Sequence, residues 1–200
     1  MADSNKVAAS DAYDFTNTNK WDTRQLVTMA LMCAIAALLS FVQIPLIPGV
    51  TFLTYDPSLM PAMVCGFAFG PGAGIAVGVI AAVIHGLILG EWVGSLMNIV
   101  ATICFVWPAA AIYCRNRTFK RGVAGLAVSV VAATIGSIVA NLTIGVVFWY
   151  GSVDAILPLL LPAVLPFNLL KGVINAVLTL IVYKAISNLI TPKKSQVKGH

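Results

Sequence analysis

The sequence predicts an all-α membrane protein of six transmembrane helices with both termini in the cytoplasm. Three observations carry that expectation. The residues are 60% hydrophobic and only 10% charged, the apolar residues come in blocks of bilayer-crossing length, and the basic residues segregate to one side. A water-soluble domain carries about a quarter charged residues, so this surface is not built for water. About 20 apolar residues cross the hydrocarbon as a helix. A β-barrel would alternate apolar and polar residues. No such alternation is present, which leaves helices.

Residues 1–20 read as a disordered cytoplasmic tail. They are polar, with Asp3, Lys6, Asp11, Asp14 and Lys20, and lack the apolar stretch and cleavage site of a secretory signal. Residues 21–190 form the six-helix membrane domain, and residues 191–200 a basic cytoplasmic tail. The spans fall at about 24–43, 56–70, 72–90, 95–114, 122–149 and 163–190. Pro45 and Pro48 break the chain after the first span, and Gly70-Pro71-Gly72 turns it between the second and third. Gly90-Glu91 follows the third, a basic run follows the fourth, and Pro158 and Pro162 precede the sixth.

Charge fixes the orientation. On this layout Lys6, Lys20, Arg24, Arg115, Arg117, Lys120, Arg121, Lys184, Lys193, Lys194 and Lys198 share the side of the termini, 11 of the 12 basic residues. The opposite loops hold Asp56, Glu91 and Asp154 instead. The positive-inside rule places the basic side in the cytoplasm. The basic excess thus follows from topology and anionic lipid heads, and nucleic acid is not an expected partner. Trp21 falls near the inner interface, and Trp92 and Trp149 near the outer one, as an aromatic belt requires.

In lipid, helices associate by close approach of small residues. The third span carries Gly74, Gly78, Ala82, Gly86 and Gly90 at four-residue spacing, and the fifth carries Gly125, Ser129, Ala133, Ser137, Asn141 and Gly145. Each series lines one helical face, so both helices are expected to be central. On the first span, Ala30 and Ala34, with Cys33 and Ala37 alongside, make a smooth face for another helix. Spacing alone does not say whether that helix belongs to this chain or to a partner. Cys33, Cys65, Cys104 and Cys114 lie in apolar segments without CxxC spacing, so they read as buried thiols and no metal site is expected.

The informative residues are the polar ones inside the membrane. Lys171 is the sole basic residue in a span interior, roughly 12 Å below the outer end of its helix at 1.5 Å per residue. Asn168 and Asn175 share its face. Asn141 lies at the same depth on the small-residue face of the fifth helix, Asn98 opens the fourth, and His85 occupies the outer third of the third. A charged residue at the bilayer centre costs roughly 2.5–3.5 kcal/mol on insertion scales, which favours a cavity or a partner. Snorkelling to the outer headgroups is the alternative for Lys171, but Asn168 is too short to follow it. His85 on its own reads as an interhelical hydrogen-bonding residue, and Asn175 as the cavity floor or a helix joint.

Amides donate and accept, while a lysine donates, so the set suits a neutral planar ligand rich in carbonyl and ring nitrogen. The outer loop from Ile44 to Tyr55 is apolar, with Leu46, Ile47, Val50, Phe52 and Leu53. It reads as a lid over the cavity or as a segment packed at the lipid interface. There is no HExxH, no GxxxxGK[ST] and no acidic pair within a span. The chain therefore reads as a non-enzyme that does not drive transport by its own hydrolysis, and it lacks the matched broken helices of an inverted-repeat carrier.

Three stretches carry a family resemblance: Tyr55-Asp56-Pro57-Ser58, Gly66-Phe67-Ala68-Phe69-Gly70-Pro71 and Pro166-Phe167-Asn168-Leu169-Leu170-Lys171-Gly172. Through them, residues 21–190 resemble the S components of energy-coupling factor (ECF) transporters, and among these the riboflavin-specific group. The resemblance implies a substrate-binding subunit in a prokaryotic plasma membrane, working with a transmembrane scaffold (T) subunit and two ATPases. It implies riboflavin as the transported ligand and no cofactor. It also implies flavin contacts from Asn141, Asn168 and Lys171 with the loop residues Phe52, Leu53 and Thr54; Asn98 joins them on the residue reading alone. Ala30 and Ala34 match the alanines that dock the scaffold, although Leu38 stands where a third would fall. Two other readings stay open: an S component for another vitamin or a queuosine-like base, and an intramembrane enzyme or ligand-free structural subunit.

Overall fold

The computed structural model describes residues 21–48 and 53–190, with side chains described up to 183. Both tails and residues 49–52, including Phe52, lie outside the described residues. The chain runs through α1 (Thr23–Ser40), a two-stranded pair β1 (Ile44–Pro45) and β2 (Thr54–Tyr55), α2 (Leu59–Phe69), α3 (Pro71–Leu89), α4 (Trp92–Arg115) and α5 (Phe119–Ala140). α5 continues as a π-helix over Asn141–Tyr150. Then α6 (Val153–Leu159), a π-helical turn Leu160–Val164 and α7 (Leu165–Ile190) complete the bundle. Among the described residues, five helical stretches are long and apolar enough to cross a bilayer: Thr23–Ser40, Pro71–Leu89, Trp92–Arg115, Phe119–Tyr150 and Val153–Tyr183.

α1 starts where Asp22 and Gln25 close a capping box. It stops at Ser40, three residues before the expected end, as the chain turns into β1. α2 is shorter than the expected 56–70 span. Its 11 residues rise about 16 Å, because Asp56 Oδ1 accepts the Ser58 N–H at 3.2 Å and this side-chain turn delays the helix. Gly70, at φ 99°, makes the expected corner between α2 and α3, with Pro71 in the first turn of α3.

Apart from Gly90, which is exposed, both small-residue faces are buried, and both turn toward α4, which packs against α2, α3 and α5. A Cβ on Gly78 would meet Thr102 Cγ2, one on Gly86 would meet Ser95 Oγ, and one on Gly125 would meet the Ala109 carbonyl at 2.9 Å. The centre of the bundle is thus α4, flanked by the helices the spacing singled out. The opposite side of α5, with Val128, Val131, Ile135 and Val139, is exposed, as a lipid-facing surface is.

Two departures from the expected layout concern helix continuity. Pro158 and Pro162 do not separate α7 from what precedes it; the helical path begins at Val153 and widens to a π turn around Pro162. A proline removes an N–H and crowds the preceding turn, and the wider turn accommodates both. The fifth span widens at Asn141. There Asn141 Nδ2 donates to the Ser137 carbonyl at 2.8 Å and Thr143 Oγ1 to the Val139 carbonyl at 2.7 Å. Side chains inserted onto the carbonyls of the last α turn disturb the regular ladder, and π stretches are otherwise rare.

Candidate substrate cavity

A cavity of about 750 Å³ opens at one end of the bundle. Its walls come from the C-terminal ends of α1 and α3, the N-terminal ends of α4 and α7, and the far part of α5. The basic residues Arg115, Arg117, Lys120 and Arg121 lie around the α4–α5 turn at the other end. The volume falls in the range of small-molecule sites, roughly 300–1,000 Å³.

Among the sequence-predicted ligand residues, Leu53, Thr54, Asn98, Asn141, Asn168 and Lys171 all line this cavity. Lys171 is buried at its wall. Its ammonium has both a cavity and a partner: Nζ lies 2.8 Å from Asp56 Oδ2 and 3.4 Å from Asn98 Oδ1. Asp56 is in turn held by Ser58, whose N–H and hydroxyl both donate to Oδ1. Its position just after β2 ties the base of the apolar loop to α7. An ionisable group in a span calls for a counter-charge, and of the three outer acids Asp56 is the one the fold buries, whereas Glu91 and Asp154 are exposed.

The amides have a consistent polarity. Asn141 Nδ2 donates to the Ser137 carbonyl and Asn168 Nδ2 to the Val164 carbonyl, each at 2.8 Å. Each amide oxygen is left as an acceptor for the cavity. Lys171 has three N–H donors and spends two on Asp56 and Asn98. The site therefore offers a ligand two amide acceptors, the second N–H of each of those amides and one ammonium proton. That pattern matches a heterocycle with ring N–H and carbonyl groups in alternation. Trp92, Trp149, Tyr150 and Phe167 supply flat apolar walls suited to an aromatic ring. None of these four was singled out as a ligand residue from the sequence, where an aromatic near an interface reads first as a belt.

His85 takes the expected structural part, with Nδ1 3.0 Å from Ser40 Oγ and its ring stacked on Phe41 at 5.5 Å. It also lines the cavity, beside Gln43. Asn175 is fully buried below Lys171 and donates to its carbonyl at 3.0 Å; it is not part of the cavity wall. The apolar loop is held at its base by the antiparallel pairs Ile44–Tyr55 and Pro45–Thr54. On α1 the expected smooth face divides in two. Cys33 and Ala37 are buried in the core, whereas Ala30 and Ala34 are exposed.

A helical bundle with a polar-lined cavity at one end is the architecture of a membrane substrate-binding subunit. The family model for the substrate-specific component of ECF transporters matches residues 24–183, and the chain belongs to that family. It is 27% identical over 177 residues to the riboflavin transporter RibU of Staphylococcus aureus, covering 85% of this chain and 94% of the relative. It is also 27% identical over 184 residues to the riboflavin transporter FmnP of Bacillus subtilis, covering 86% and 96%. A solved structure of the S component of a bacterial ECF transporter superposes with a TM-score of 0.75 at 28% identity, covering 84% of this chain and 98% of that one. The family is one of transporter substrate-specific components, not of enzymes.

Proposed function

We propose that this chain captures riboflavin from outside the cell and delivers it as the substrate-specific subunit of an ECF importer in the prokaryotic cell membrane. The observation that carries the reading is the convergence of Lys171, Asn98, Asn141 and Asn168 on one cavity with aromatic walls. The names of the relatives support the choice of ligand. In this reading the chain crosses the bilayer six times. The cavity faces outward, the tails 1–20 and 191–200 lie in the cytoplasm, and the loop 44–55 closes over the ligand. Phe52, Leu53 and Thr54 then contact the flavin from above. The segregation of basic residues away from the cavity end supports that orientation.

The exposed Ala30–Ala34 stripe docks a transmembrane scaffold subunit, which couples the chain to two ATPases. An Ala34→Trp substitution should leave riboflavin binding by the purified subunit unchanged while cellular uptake falls to background. Equal uptake by variant and wild type would remove α1 from the docking surface.

The direct test is spectroscopic. Protein purified from cells grown with riboflavin should carry a flavin absorption band and quench flavin fluorescence on titration. A colourless protein that ignores added riboflavin would assign the cavity to a different ligand.

A further inference from the structure

We propose that Glu91 is a specificity-determining residue that excludes phosphorylated flavin from this cavity; the inference rests on the riboflavin reading above. Among the described lining residues the charged side chains are Asp56, Glu91 and Lys171, two carboxylates against one ammonium. The ammonium is already committed, 2.8 Å from Asp56. The sequence supplies no further charge at residues 49–52. Glu91 has no ion-pair partner among the described residues, where the Lys171–Asp56 contact is the salt bridge found.

Its location gives that carboxylate its effect. Glu91 follows Gly90, which takes a left-handed φ of 73° to end α3, and stands at the N-cap position of α4, where its side chain makes no capping hydrogen bond. A helix start attracts anions through its unpaired N–H groups and dipole, and Glu91, Trp92, Val93 and Gly94 all border the cavity. This helix start, a feature of the wall that would welcome a phosphate, therefore already bears a negative charge of its own. Riboflavin is neutral, whereas a phosphate monoester carries about −1.5 to −2 at neutral pH. A like charge at about 10 Å, at an effective dielectric of about 40 for this exposed carboxylate, corresponds to roughly tenfold in affinity for the phosphate ester as a whole.

Titrating the purified subunit with riboflavin and with flavin mononucleotide, by fluorescence quenching, gives the ratio of the two dissociation constants. In the wild type the ratio should favour riboflavin by tenfold or more. Glu91→Gln should narrow it by about tenfold, through tighter binding of the phosphate ester. Asp154→Asn serves as the control, because Asp154 lies in the first turn of α6 and does not line the cavity; it should leave the ratio as in the wild type. An unchanged ratio in Glu91→Gln overturns the proposal. So does equal narrowing in Asp154→Asn, which would assign selectivity to the general surface potential. A wild-type protein that binds neither flavin would instead overturn the riboflavin reading itself.

Discussion

A Lys171→Met variant is expected to bind riboflavin roughly 10- to 100-fold more weakly, the value of one hydrogen bond from a charged donor, and to melt at a lower temperature. The second effect has a separate cause. Removing the ammonium leaves the Asp56 carboxylate buried without its partner at 2.8 Å, and breaking a buried pair in this way costs about 3–5 kcal/mol. The double variant Lys171→Met with Asp56→Asn takes away both charges, and stability should largely return while binding stays weak. Arg115→Met, on an exposed residue at the other end of α4, should bind as the wild type does. Fluorescence titration and thermal unfolding in detergent measure the two quantities. Recovery of affinity in the double variant would show that the lysine serves the fold and not the ligand.

The second large effect lies in the helix packing. A Cβ on Gly74 would stand 2.5 Å from the Ala62 carbonyl oxygen and 2.8 Å from Gly66 Cα. Both are backbone atoms, so no rotamer change relieves the clash and α2 must move off α3. Gly74→Ala should therefore destabilise by at least the 1–3 kcal/mol typical of overpacking. Gly72, two residues earlier in the same helix, has only Trp21 Cζ2 nearby, at 3.9 Å. There an alanine should be neutral or stabilising by about 0.5–1 kcal/mol, since helix propensity is the main change. Equal melting temperatures for the two variants would mean that the close α2–α3 approach does not exist in the membrane.

Much of this architecture was legible because lipid restricts what a sequence can do. The Gly-Pro-Gly corner, the small-residue faces and the cavity-facing asparagines each follow from one local rule. Pairing across the fold was harder. Asp56 and Lys171 are 115 residues apart, and helical periodicity carries no information about which loop acid reaches which helix. The same limit hid α4, whose sequence has no glycine stripe because it receives the stripes of α3 and α5. Continuity through Pro158 and Pro162 was missed for a different reason. A proline signals that the regular ladder is interrupted, but not whether the chain turns away or simply widens by one residue.

The Lys171–Asp56 pair also bears on energy coupling. Moving one elementary charge through a membrane potential is worth about 2.3 kcal/mol per 100 mV. Here the two opposite charges cancel as a unit, and a neutral vitamin adds none. In the proposed riboflavin reading, capture is then electrically silent: hyperpolarising the cell gives voltage no handle on the loading step, and the work of import enters through the ATPases proposed as partners.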